Sequence, residues 1–213
     1  MKVSLLSRAL VGAGMLATAG MSHAFLTTTL FNPTDVVTFE SFDGFVTTGP
    51  TALSGFTTFA PSSTSTLGAF IADLGGNGIW GVGKVFAGLG SFFDPVVPGT
   101  MSFSFNGAFA TAGAFLNTFS PNGVITISAF GVGGLLETHD VVIDTPGGEN
   151  AGVFYGIGRS SAEITSISFS GTGVVLDDLA ISTAVVPLPA ATWLLGGGLM
   201  LLGLVGRRGK RAV

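Results

Sequence analysis

Apolar residues in this chain recur at every second position, and the residues between them are serine and threonine. Met101, Phe103 and Phe105 are separated by Ser102 and Ser104, and Ile125, Ile127 and Ala129 enclose Thr126 and Ser128. Ile167 and Phe169 alternate with Ser166, Ser168 and Ser170, while Val37 and Phe39 flank Thr38. Successive side chains of a strand point to opposite faces, so this spacing makes one apolar face and one hydroxyl face. Between the two ends of the chain no segment sustains a helical period with caps. The alternation predicts strands over 35–40, 44–48, 53–59, 66–72, 79–86, 100–105, 109–118, 123–130, 135–143, 152–157, 163–169 and 173–182. Gly49-Pro50, Asp73 to Gly78, Asp94 to Gly99, Pro121-Asn122-Gly123, Pro146-Gly147-Gly148 and Gly171-Thr172-Gly173 supply the turns. Many short strands joined by glycine-rich turns imply an all-β fold, an antiparallel β-sandwich or jelly roll. No fixed-length repeat is present, which argues against a β-solenoid and against a regular ice-binding array.

The two ends are built differently. Lys2 and Arg8 flank the start of an apolar stretch, Ala9 to Ala19, and Ser22-His23-Ala24 offers small residues where a signal peptidase reads. Residues 1–24 are therefore expected to be a signal peptide cleaved between Ala24 and Phe25. At the far end, Val186-Pro187-Leu188-Pro189 precedes an uncharged run and then Arg207-Arg208-Gly209-Lys210-Arg211. Ala190 to Val205 would make a helix of about 24 Å. That is short for a hydrocarbon core of ~30 Å, but local thinning and snorkelling basic flanks accommodate it. The predicted transmembrane helix covers about 190–206 with a basic end at 207–211, and the positive-inside bias places everything before Pro187 outside the cytoplasm. A single ectodomain, 25–185, lies between.

The sequence from Val186-Pro187-Leu188-Pro189-Ala190-Ala191-Thr192-Trp193 through Gly196-Gly197-Gly198 to Arg207-Arg208 resembles the PEP-CTERM sorting segment of Gram-negative bacteria, with Leu188 in place of the name-giving Glu. Segments of this kind are also labelled ice-binding-protein C-terminal domains, a label that implies nothing about ice. The resemblance implies an exosortase-type processing enzyme as partner, inner-membrane anchoring facing the periplasm before processing, and then a cell-surface or extracellular location. Association with exopolysaccharide and biofilm is implied in the same way. Pro187, Leu188, Pro189, Arg207 and Arg208 are the expected sorting and processing residues. The physics agrees: two prolines hold the junction extended and keep it out of the helix. The stretch from Thr145 to Ile157, continuing through Phe169 to Leu179, is similar to the final strands of many PEP-CTERM ectodomains, which implies a lectin-like jelly roll.

All twelve acidic residues lie in the ectodomain with only two cations, Lys84 and Arg159, a balance of −10 where the whole chain carries −4. Nucleic acid is thereby excluded as a partner, since its affinity comes from cationic contacts to phosphate. There is no cysteine, so stability must come from the core or from bound ions. Gly78 to Lys84 fits seven positions of a phosphate loop but has Val85 where a hydroxyl belongs, and Asp73 to Gly78 opens like a calcium loop but places Lys84 at the position of the bidentate Glu. The first is read as a glycine-rich strand or loop and the second as a turn. Glu137, His139 and Asp140 form the one cluster around an ectodomain histidine, too few ligands for zinc and tied to no serine nucleophile. The chain is expected not to be an enzyme. No cofactor is required, although a structural calcium ion is a candidate. Asp177 and Asp178 stand side by side in an apolar strand, so one of them should face the core, where a carboxylate needs a cation or several donors. Glu40 and Asp43 are the candidate additional ligands. If the domain binds sugar as a calcium-dependent module, Trp80 and Tyr155 are the candidate aromatic platforms.

Overall fold

The computed structural model describes residues 24–29, 32–68, 85–90, 97–118, 123–143 and 153–185. Over them the chain forms fourteen strands and one short 3-10 helix, with every strand pair antiparallel. The strands are β1 (Ala24–Thr27), β2 (Asp35–Val37), β3 (Phe45–Thr47), β4 (Thr51–Ala52), β5 (Thr57–Pro61), β6 (Ser65–Gly68) and β7 (Phe86–Leu89). Then come β8 (Pro98–Phe109), β9 (Thr111–Thr118), β10 (Gly123–Gly131), β11 (Gly134–Ile143), β12 (Val153–Arg159), β13 (Ile164–Thr172) and β14 (Val174–Ser182). The 3-10 helix, Glu40–Phe42, follows β2.

One sheet of eight strands runs β1-β12-β9-β14-β7-β6-β3, with β2 also paired to β14; the other, of six, runs β11-β10-β13-β8-β5-β4. The inward residues of both sheets make a single core. Phe103 sits at its centre, its ring 5.1 Å from Phe59, 6.1 Å from Phe169 and 6.4 Å from Phe39. These four rings have essentially no exposure, and burying each from water contributes on the order of 2 kcal/mol.

The six-stranded sheet obeys the sequence alternation. Met101, Phe103, Ile125, Ile127, Ile167 and Phe169 join the core. The register sets Ser128, Ser168 and Ser102 side by side across β10, β13 and β8, with Thr126, Ser170 and Thr100 in the neighbouring row. Paired hydroxyls join this outer face: Thr100 to Ser170 at 2.8 Å and Ser128 to Thr138 at 3.0 Å. The eight-stranded sheet does not alternate. Every residue of β14 is buried, as are all but one of β9, so its middle is covered on both faces.

Four expectations need correcting. The strand expected over 53–59 is a turn followed by β5, because Ser54 Oγ accepts the backbone N–H groups of Phe56 and Thr57 and donates to Asp35. The alternation predicts no strand before residue 35, yet Ala24 and Phe25 lie in β1 against Arg159 and Gly158 of β12. The Phe25 ring occupies the space a Cβ on Gly158 would need, 2.6 Å away. Tyr155, a candidate sugar platform, packs its half-buried ring against the core instead. Finally, Asp177 and Asp178 do not divide between core and solvent; both are buried. Trp80, Lys84, the residues expected to form the signal helix, and Pro187, Leu188, Pro189, Arg207 and Arg208 lie outside the described residues.

Candidate functional site

The site begins with a fork in the eight-stranded sheet. Along one side β14 pairs first with β7, through Val175 and Leu176, and then with β2, from Leu179 onward. Asp177 and Asp178 fall between those two ladders. On the other side, against β9, the register slips between Asp177 and Ala180. The extra residue is a bulge, and Asp178 adopts a left-handed backbone with φ of 46°. The bulge is why simple alternation misplaces this pair. Leu116 and Ala114 of β9 are in the core, so Phe115 and its partner Asp177 lie on the opposite face of the sheet.

A second strained residue opens the fork. Phe39 has φ of 59°, a conformation a bulky side chain adopts only where its surroundings fix it. Here the fully buried ring is fixed among Phe103 and its neighbours. The turn swings the chain away from β14 and places Glu40 at the start of the 3-10 helix. Glu40 Oε1 accepts the backbone N–H of Val85, next to β7, at 3.3 Å. Glu40 thus bridges the diverging strands, within electrostatic reach of Asp177.

Asp177 is strongly perturbed. Burial pushes its carboxyl up to about 8; the Asp178 backbone N–H, donated to Asp177 Oδ1 at 2.7 Å, opposes this, and the charges of Asp178 and Glu40 add to the rise. Asp177 is therefore protonated at neutral pH. Arg159 is the only lysine or arginine among the described residues, and it is engaged 2.7 Å from Glu163.

The structure gathers three of the four candidate calcium ligands, Glu40, Asp177 and Asp178, into one electrostatic cluster. Asp43, the fourth, sets its Oδ1 3.0 Å from where a Cβ on Gly68 would sit, and Gly68 pairs with Phe86, the neighbour of Val85. Among the described residues no group of three or more His, Asp or Glu side chains is arranged to hold a metal ion. Glu137 and His139 share a face of β11, as their spacing predicts, 3.1 Å apart. Asp140, on the other face, accepts a hydrogen bond from Thr126 at 2.6 Å. Since β11 ends its sheet, the inward-facing polar side chains of Glu137 and His139 discourage edge-to-edge pairing with other chains.

Beside the fork lies a feature that no sequence signal announced. A half-open cavity of about 200 Å³ is lined by residues 36–42 together with Leu53 and Ser54. Its polar groups include Thr38, Glu40 and Ser41, and its apolar side is Phe42 and Leu53.

No family model matches the chain, and no curated protein matches it. Among solved structures, the carbohydrate-binding module TmCBM61, determined in complex with β-1,4-galactotriose, is similar at a TM-score of 0.35 and 9% identity, over 68% of this chain and 89% of that one. At that distance the neighbour's ligand says nothing about this chain.

Proposed function

We propose that this chain is an exported, non-enzymatic cell-surface or extracellular-matrix protein, a jelly-roll-like β-sandwich associated with exopolysaccharide. An N-terminal signal peptide and a PEP-CTERM-like tail deliver it, and an exosortase-type enzyme processes it at the inner membrane. The observation that carries this reading is the outer face of the six-stranded sheet. On an ectodomain of net charge −10, this face holds, among the described residues, rows of serine and threonine, with Asp140 on the neighbouring edge strand. Short hydroxyl side chains lose little conformational entropy when covered, whereas lysine or glutamate would lose ~1.5–2 kcal/mol each. The jelly-roll-like description is supported by the chain passing from one sheet to the other between β8 and β9, β9 and β10, β11 and β12, β12 and β13, and β13 and β14.

Mass spectrometry of the protein from an exosortase-bearing host tests this. The expected product starts at Phe25 and lacks the tail beyond the Pro187–Pro189 region, while a host without the enzyme retains the tail. A soluble cytosolic product with Met1 and Val213 both intact overturns it.

A second reading, a calcium-dependent carbohydrate-binding module, draws on the gathering of Glu40, Asp177 and Asp178. Calcium takes six to eight oxygen ligands, so the ion would need donors beyond these three, such as backbone carbonyls. A large fall in Tm on adding a chelator favours this reading, and an unchanged Tm removes it.

A further inference from the structure

The cavity beside the fork has a definite chemistry. About 200 Å³ is room for roughly six or seven waters at ~30 Å³ each. That is the scale of one sugar ring and below the ~300 Å³ where sites for drug-sized ligands begin. Phe42 and Leu53 give it an apolar side, and Thr38 and Ser41 give it hydroxyls, the two surfaces a pyranose presents. Among the described residues the lining contains a carboxylate, Glu40, and no lysine or arginine. The Glu40 carboxylate makes the local field one that opposes anionic ligands and favours cations. The wall is rigid as well, because the strained turn at Phe39 is anchored in the aromatic core.

We propose that this cavity binds one amine-bearing sugar ring, a hexosamine unit of a polysaccharide, with its ammonium against Glu40 and its apolar face on Phe42. The proposal rests on the polysaccharide-associated reading above and names the unit recognised. A charge-assisted hydrogen bond in a partly enclosed site contributes enough to set the preference.

The test is a calorimetric titration of the purified full chain, in detergent at pH 6, with β-1,4-linked glucosamine oligomers and with their fully N-acetylated counterparts. The free-amine oligomers should bind about tenfold more tightly, the scale of one hydrogen bond to a charged group, and added salt should erode the difference. Glu40→Gln should abolish the preference while circular dichroism and Tm report an intact fold. Ser104→Ala, on the hydroxyl face and outside the lining, should change nothing. Equal affinity for the two oligomers, no binding by the folded wild type, an undiminished preference in E40Q, or loss of binding in S104A would each overturn the proposal. The mass of the processed C-terminus is independent of all these outcomes, so the export reading can fail or survive separately.

Discussion

The two sheets solve different problems with the same residue vocabulary. The six-stranded sheet has one wet face, and its strands alternate cleanly between core residues and hydroxyls. The eight-stranded sheet is buried on both faces through β9 and β14, and alternation there carries no information. Polar groups on the first can always turn to water. On the second, Asp177 cannot, and its carboxyl stays protonated to about 8 as a result. Close packing in the doubly buried sheet also demands glycine. Gly113 and Gly156 face each other across β9 and β12, and the Phe154 ring lies over both. A change in one sheet should therefore cost much more than a change of similar size in the other.

The largest expected effect belongs to Asp177. Its folded-state value of about 8 lies above the ordinary value of 3.8. Between those values the unfolded chain has lost a proton that the folded chain keeps, so stability falls as pH rises through the window and levels off above 8. At 1.36 kcal/mol per unit the loss is on the order of 5 kcal/mol from pH 4 to 9. Denaturant titrations across that range should show the decline, and Asp177→Asn should flatten it. A wild-type profile that rises with pH would place a stabilised carboxylate there instead, as a bound cation would.

Gly113→Ala comes next. The added Cβ would lie 2.5 Å from Gly156 Cα and 2.6 Å from the Tyr155 carbonyl oxygen, backbone atoms that cannot step aside. A cost of about 2 kcal/mol is expected. Gly133→Ala, in the β10–β11 turn with nothing within 4 Å, serves as the control. Equal Tm values for the two variants would mean that β9 and β12 are not packed as described. Ser170→Ala, on the wet face, should have the smallest effect. It removes a 2.8 Å hydroxyl pair with Thr100, worth about 0.5 kcal/mol in a cross-strand setting. A loss several times larger would mean that this face is as buried as its counterpart.

Strands β8, β10, β11 and β13 were legible because their two faces meet two solvents, and hydrophobic spacing records that contrast. β10 and β11 fall within a residue of expectation for this reason. β1 was missed because Ala24 and Phe25 also fit a cleavage junction, and nothing local signals their pairing with β12. The candidate site was half legible. Two adjacent aspartates in an apolar strand flagged β14, but the bulge that buries both is a long-range outcome of pairing with β9, β7 and β2. The cavity was invisible, since a phenylalanine in a left-handed conformation leaves no mark in a sequence.

The sequence alone determined a chain of antiparallel strands, because side-chain periodicity is a local property of an extended backbone. It also determined a surplus of carboxylates, which is a matter of counting. Only the tertiary structure decided which sheet would be covered on both faces, where β14 would break its ladder, and which carboxylates would lose their water. Those outcomes depend on contacts between residues more than fifty positions apart, and their energies arise only once the sheets have closed over the core.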